Sequence, residues 1–159
     1  MEEKLKEKKN TPDQFGIQWG DRIGKGAFGA VFKCVRNGEE IAVKMMDKGM
    51  QKMFQQEIAI MKKIQQQGSH KNLMKLLDIH ESPQDFLLVM PLYTGSLKDL
   101  IKQRLWKRMF FSPLQMIQIA RDMCEGIEYL HKNGIAHRDL KVKLLNKDDS
   151  HYFSLPICC

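Results

Sequence analysis

Gly24-Lys25-Gly26-Ala27-Phe28-Gly29-Ala30-Val31 is the stretch on which the fold turns. In dinucleotide-binding folds a Gly-x-Gly-x-x-Gly run opens a helix whose N-terminus holds a pyrophosphate. Here Gly29 runs straight into Ala30-Val31-Phe32, a strand pattern, so no helix N-terminus is available and that reading fails. What remains is a glycine-rich hairpin. It is either an ordinary turn or one whose bare backbone lies close over phosphates.

Working outward, Asn37-Gly38 is a strong two-residue hairpin signal, and the Val, Ile and Phe runs between Gly16 and Met46 predict three antiparallel strands. In the third, Ile41, Val43 and Met45 fall on one face and Ala42, Lys44 and Met46 on the other. A lysine on an inward face needs a partner, and Glu57 follows thirteen residues later; the plain alternative is a surface Lys and a surface Glu. From Lys52 to Gln66 the period turns helical, with Met53, Glu57, Ile60, Met61 and Ile64 in one stripe and Gly68 as the stop. Two more strands are expected, Met74 to His80 and Phe86 to Met90, joined through Ser82-Pro83. The result is a five-stranded, one-helix unit. A short helix from Leu97 to about Trp106 follows. Then comes a long one with Ser112 as N-cap, Pro113 in the first turn, Gln115 closing a capping box and Asn133-Gly134 as the stop. Its apolar stripe is Met116, Ala120, Met123, Ile127 and Leu130.

The chain has 159 residues, which suits one ordinary domain. Its 43% hydrophobic and 28% charged residues are the balance of a folded soluble protein, which excludes a disordered tail or a collagen-like repeat. The longest apolar run, Phe86 to Leu92, is too short to span a bilayer, and Met1 to Lys9 has no apolar core that would make a secretory signal. An intracellular location, cytoplasmic or nuclear, is the expectation. With 26 Lys and Arg against 19 Asp and Glu the net charge is +7, but no segment beyond the first ten residues stands out as basic, which argues against a nucleic-acid partner. Cys34, Cys124, Cys158 and Cys159 form no CxxC pair and no metal-ligand spacing with the histidines, so no metal site is expected from them. Cys158-Cys159 at the terminus does not fit the four-residue prenylation pattern, which needs its Cys fourth from the end, where Pro156 stands, so lipidation there is not expected.

One more constellation bears on chemistry. His137-Arg138-Asp139-Leu140-Lys141 follows the long helix directly, and in phosphoryl transfer a carboxylate orients an acceptor hydroxyl while a cation offsets charge on the transferring group. Taken alone the triplet is a common chance match. Together and in this order, the glycine hairpin, Ala42-Val43-Lys44 with Glu57, and His137-Arg138-Asp139 resemble the eukaryotic protein kinase catalytic domain from about Gly16 to Asn146.

The resemblance implies an α+β, kinase-like fold: residues 1–14 a charged mobile extension, 15–91 a five-stranded antiparallel N-lobe with one helix, 92–149 a truncated helical C-lobe, and 150–159 a divergent tail. It implies ATP as cofactor, with Gly24, Gly26 and Gly29 over the phosphates, Val31 and Ala42 against adenine, Lys44 on the phosphates and Glu57 anchoring Lys44. Met90 would be the gatekeeper. Pro91 offers its carbonyl and Tyr93 its N–H to the base. Asp139 would be the catalytic base, and Lys141, two positions on, implies Ser/Thr acceptors in a protein substrate whose identity the sequence does not give.

The chain also departs from the family. In ungapped register Leu144 stands where the family has an Asn that holds one Mg²⁺, and Asn146 lies two residues late, about 6 to 7 Å along an extended segment. After Asp149 there is no Asp, Glu or Gly, so the Asp-Phe-Gly segment that holds the other Mg²⁺ is missing from this sequence. The expectations that follow are a Ser/Thr kinase family member inactive by itself, a kinase-like nucleotide- or protein-binding module (a pseudokinase), or a non-functional fragment. The apolar face of the long helix is expected to lack packing partners.

Overall fold

Asn37 and Gly38 both take positive φ, 54° and 80°, the backbone that a two-residue hairpin matched to right-handed strand twist requires. They join β2 (Gly29–Arg36) to β3 (Glu39–Asp47), and β1 (Ile17–Gly26) pairs with β2 on the other side. With β4 (Asp78–Glu81) and β5 (Asp85–Pro91) they form one antiparallel sheet in the order β1-β2-β3-β5-β4. The computed structural model describes residues 12–26 and 29–137 and the short strands Leu145–Asn146 and Phe153–Ser154. Arg138, Asp139, Lys141, Leu144, Cys158, Cys159 and most of the N-terminal extension lie outside the described residues. Contacts divide the chain into two units, one holding the chain up to Gln55 with Leu76–Leu92, the other Gln56–Lys75 and the chain from Tyr93.

In the first unit, one face of the sheet carries a buried cluster of Ile17, Trp19, Phe32, Cys34, Ile41, Val43, Met45, Leu87 and Val89. Trp19 and Phe32 meet edge to face at 5.4 Å. Each fully buried aliphatic side chain here contributes about 1.5–3 kcal/mol, whereas an exposed pair such as Lys33 with Glu40 contributes roughly 0–1, so burial sets the stability of the sheet. One end of this core is closed by the chain entering β1. The carboxylate of Asp13 accepts from the N–H groups of Phe15 (2.9 Å) and Ile17 (3.0 Å) and from the Trp19 indole (2.8 Å). Phe15 then stacks on His80 at 4.5 Å, beside an ion pair from Arg36 to Asp78 of 2.7 Å.

The fourth strand is shorter than expected. Met74 to His80 reads as a strand, but the ladder runs only over Asp78–Glu81. The N–H of Leu77 donates to Val89 O (2.8 Å), although Val89 already faces Asp78 in the ladder, so two residues oppose one and regular pairing stops. Met74 and Leu76 keep the alternation and remain buried without belonging to the sheet.

The helix expected over residues 52–66 is α1 (Gln51–Gln66). Its first turn belongs to the first unit, where Phe54 stacks on Phe86 of β5 at 3.9 Å; Phe54 is one residue off the expected stripe. The rest of α1 belongs to the second unit. There Ile64 joins Leu73, Leu97, Leu130 and Ile135 in a cluster. The helices α2 (Leu97–Trp106) and α3 (Pro113–Lys132) each begin with a capping box, Ser96 with Asp99 and Ser112 with Gln115. The hydrogen bond from Ser96 holds the Asp99 carboxyl below its usual range.

Gly134, at φ 68°, ends α3 and lets the Ile135 N–H return to Leu130 O at 2.9 Å. Tyr129 Oη donates to Gln67 O (3.0 Å) and Lys63 Nζ to Asn133 O (2.8 Å), tying the end of α1 to α3. His70 stacks on Tyr129, and burial pushes its imidazole pKa down. The long-helix stripe is only partly buried: Met116 and Ala120 are exposed, and the deepest positions are Asp122, Gly126 and Leu130, four residues apart. Asp122 is fully buried and accepts from Gln118 at 2.8 Å. A small antiparallel sheet that the sequence did not announce joins β6 (Gly95–Ser96), β7 (Leu145–Asn146) and β8 (Phe153–Ser154) in that order.

Candidate functional site

The register across the first sheet decides which of the expected site residues share a face. Gly24 is the partner of Val31, Val31 of Lys44, and Lys44 of Leu88, so these four stand in one row across four strands. Ala42 and Met90 are partners two residues along, on the same face by the period of two. Gly26 and Gly29 are partners two residues in the other direction. Gly24, Gly26, Gly29, Val31, Ala42, Lys44 and Met90 therefore lie on one face, and the apolar cluster of the first unit lies on the other. At about 4.8 Å between neighbouring strands, the backbone of Lys44 is roughly 10 Å from that of Gly24. That span leaves room for a row of phosphates between the lysine stem and the hairpin.

The three glycines do different things. Gly29 has φ 137° and its missing Cβ would overlap the Met45 carbonyl oxygen and lie 3.1 Å from its carbon, so the strand pairing itself demands glycine. Gly24 and Gly26 face no such limit. A Cβ at Gly24 would make ordinary contact with Val31 at 3.7 Å, and one at Gly26 would come only to 4.0 Å from Gly29 O. Among the described residues nothing requires these two to lack side chains. Their bareness suits a ligand that approaches the backbone from outside.

Lys44 is half-buried, with Ala42 and Met90 buried beside it, so an ammonium there sits above an apolar floor. Pro91 ends β5 opposite Ile41, where its missing N–H costs the ladder least. Among the described residues no group of three or more His, Cys, Asp or Glu could hold a metal ion. Glu57, buried, and Tyr93 belong to the second unit and are described with it. His137, buried, ends the described run 29–137, two residues ahead of Asp139 in the sequence.

Two residues of this sheet escaped the sequence reading. Leu88 is buried opposite Lys44 and gives that row its apolar end. Ile23, which is not assigned to that face, is half-exposed at an irregularity of β1 between the Arg22 and Gly24 pairs. The available signal was a large apolar residue directly before the first glycine of a solvent-exposed hairpin.

A family model described as "Protein kinase domain" matches residues 17–152. The chain is 36% identical over 140 residues to a probable myosin light chain kinase of Dictyostelium discoideum, covering 85% of this chain and 43% of that protein. It is 31% identical over 140 residues to a serine/threonine-protein kinase of Arabidopsis thaliana, covering 84% and 23%. Against human calcium/calmodulin-dependent protein kinase type IV it is 33% identical over 122 residues, covering 75% and 24%. The chain thus spans less than half the length of each of these relatives.

Proposed function

The chain belongs to the protein kinase family, and from that premise we propose that its sheet unit is an ATP site which, with this chain alone, does not sustain phosphoryl transfer. Its relatives are serine/threonine kinases, and ATP and Mg²⁺ are the family's usual cofactors. The observation that carries the reading is the shared face of Gly24, Gly26, Gly29, Val31, Ala42, Lys44 and Met90. Two glycines that no described residue requires to be glycine, beside a half-buried lysine flanked by buried Ala42 and Met90, fit a nucleotide: charge at one end, a flat base at the other.

In this reading ATP supplies the transferable γ-phosphoryl group. The hairpin backbone covers the phosphates, Lys44 holds their oxygens, and Glu57 fixes the direction of Lys44. Val31 and Ala42 clasp the base. Met90 bounds its pocket, while the Pro91 carbonyl and the Tyr93 N–H meet its edge. Asp139 accepts the proton of a Ser or Thr hydroxyl on a protein substrate, and Lys141 offsets charge on the transferring group.

The donor set does not fit the metals. Leu144 cannot ligate, and the sequence after Asp149 contains no carboxylate, so no step is assigned to Mg²⁺ in this chain. Lys44 and Lys141 then face the β- and γ-phosphates without the charge of a metal ion. Most of the barrier reduction in phosphoryl transfer comes from positioning and from fixed positive charge, and two lysines supply only part of it.

Calorimetric titration with ATP tests the binding half. Lys44→Ala removes a charged hydrogen bond worth about 1.5–3 kcal/mol, a loss of roughly ten- to a hundredfold in affinity. Unchanged affinity would show that the glycine stretch is a plain hairpin. For the catalytic half, purified chain with excess ATP and magnesium should leave a Ser/Thr substrate unlabelled, and Leu144→Asn should not rescue it. Label transfer that Asp139→Asn abolishes would overturn this half.

A further inference from the structure

The corner between α2 and α3 exposes Leu105, Trp106, Met109, Phe110, Leu114 and Ile117. Trp106 is 89% exposed, Phe110 80% and Leu114 79%. A groove shades the residues that line it, so values this high describe side chains that stand clear of the surface rather than line a cleft. Isolated exposed apolar residues need no explanation, but six on one helical corner, including a Trp and a Phe, do.

The same corner is basic. Residues 102–108 read Lys-Gln-Arg-Leu-Trp-Lys-Arg, four cations in seven, and no Asp or Glu occurs between Asp99 and Asp122. The expectation of evenly spread charge beyond the N-terminus is therefore corrected here. Arg104 is engaged in building the corner: its guanidinium donates to Gln115 Oε1 (2.9 Å) and Phe110 O (3.4 Å) and lies 4.3 Å above the Phe111 ring. Lys102, Lys107 and Arg108 are exposed. Arg108 holds a positive φ of 52° at the turn and donates its N–H to Leu105 O at 3.0 Å, so the bend that presents Trp106 and Phe110 is fixed by backbone bonds.

We propose that this corner docks on an anionic lipid surface, with Trp106, Phe110 and Leu114 entering the headgroup boundary and Lys102, Lys107 and Arg108 meeting lipid phosphates. Three observations select this occupant. Aromatic side chains that stand clear of the surface enter a lipid interface without a matching cavity, whereas a protein partner would have to supply one. Lysine and arginine stems lie along apolar surface while their heads reach anionic groups, which suits cations interleaved with Trp and Phe. A second copy of the chain would bring basic surface against basic surface. Among the described residues no helix is long and apolar enough to cross a membrane, so the contact is with a surface. The inference does not depend on nucleotide binding, which concerns the first unit.

Sedimentation with vesicles tests it, using the full chain and vesicles of phosphatidylcholine with about 30% phosphatidylserine, against pure phosphatidylcholine. The expected result is binding to the anionic vesicles only, lost on raising salt to about 0.5 M, when the screening length falls towards 3 Å. Trp106→Ser with Phe110→Ser should reduce partitioning at least tenfold, and Lys107→Glu with Arg108→Glu at least as much. Both pairs are solvent-exposed, so circular dichroism and melting should be unchanged. Equal binding to neutral vesicles, or undiminished binding by both double variants, overturns the proposal. So does concentration-dependent self-association that the Trp106/Phe110 variant abolishes without any vesicle binding by the unmodified chain, which would assign the face to a second copy.

Discussion

Replacing Gly29 by alanine separates a glycine kept for the fold from glycines kept for a ligand. At φ 137° an L residue is strained by about 1–3 kcal/mol. The new Cβ would also lie 3.1 Å from the Met45 carbonyl carbon and closer still to its oxygen. Neither atom is the end of a flexible side chain, so relief comes only by parting β2 from β3 beside the Ala30 and Met45 pair. Losing one or two ladder hydrogen bonds adds about 1 kcal/mol each, giving a total of about 2–5 kcal/mol. At roughly 2–4 °C per kcal/mol for a chain of this size, melting should fall by about 5–20 °C in a thermal scan followed by circular dichroism. Gly24→Ala is the control. Its Cβ meets Val31 at an ordinary 3.7 Å, so stability should hold within about 0.5 kcal/mol while ATP affinity falls. A Gly29→Ala protein that melts with the unmodified chain would refute the assignment of this glycine to strand pairing. A Gly24→Ala protein as destabilised as Gly29→Ala would refute the distinction.

Three further outcomes follow from single observations. Burial alone would raise the Asp78 carboxyl, but hydrogen bonds from Arg36 and the Ile79 N–H, with charge from His80 and Arg36, outweigh it and hold the pKa below the ordinary 3.8. A depressed carboxyl stabilises above its unfolded pKa and loses that contribution as pH falls through the folded value. Asp78→Asn should therefore cost about 0.2–1 kcal/mol near neutral pH, with the gap closing below about pH 4; a gap that widens on acidification is contrary to this sign. Burial also pushes the Cys34 thiol up to about 11, whereas Cys124 is exposed. Peptide mapping after brief alkylation should find Cys124 labelled and Cys34 labelled only on unfolding, and early labelling of Cys34 would mean the sheet core opens readily. Ser112→Ala removes the α3 capping box and should cost about 1 kcal/mol in urea unfolding, against no change if packing alone fixes where the helix starts.

The sequence by itself determined whatever depends on neighbours along the chain. Asn37-Gly38 announced its hairpin because φ above zero at two successive positions suits few other residue pairs, and Ser112, Pro113 and Gln115 announced α3 because a cap is satisfied within one turn. The period of two in Ile41 to Met46 fixed which side of β3 carries Lys44. Which residues of β1, β2 and β5 join Lys44 on that side was left to the strand register.

Tertiary structure decided what depends on distant partners. Residues 74–77 have strand alternation but no ladder, because the Leu77 N–H takes an acceptor on β5 that is out of register. Among three similar glycines only Gly29 is required by the sheet, a fact that resides in the Met45 carbonyl sixteen residues on. Phe54 packs on Phe86 from outside the expected stripe, because a helix that serves two units buries more than one side. The bareness of Trp106 and Phe110 was invisible for the same reason: burial is a property of what arrives from elsewhere in the chain, and at this corner nothing described arrives.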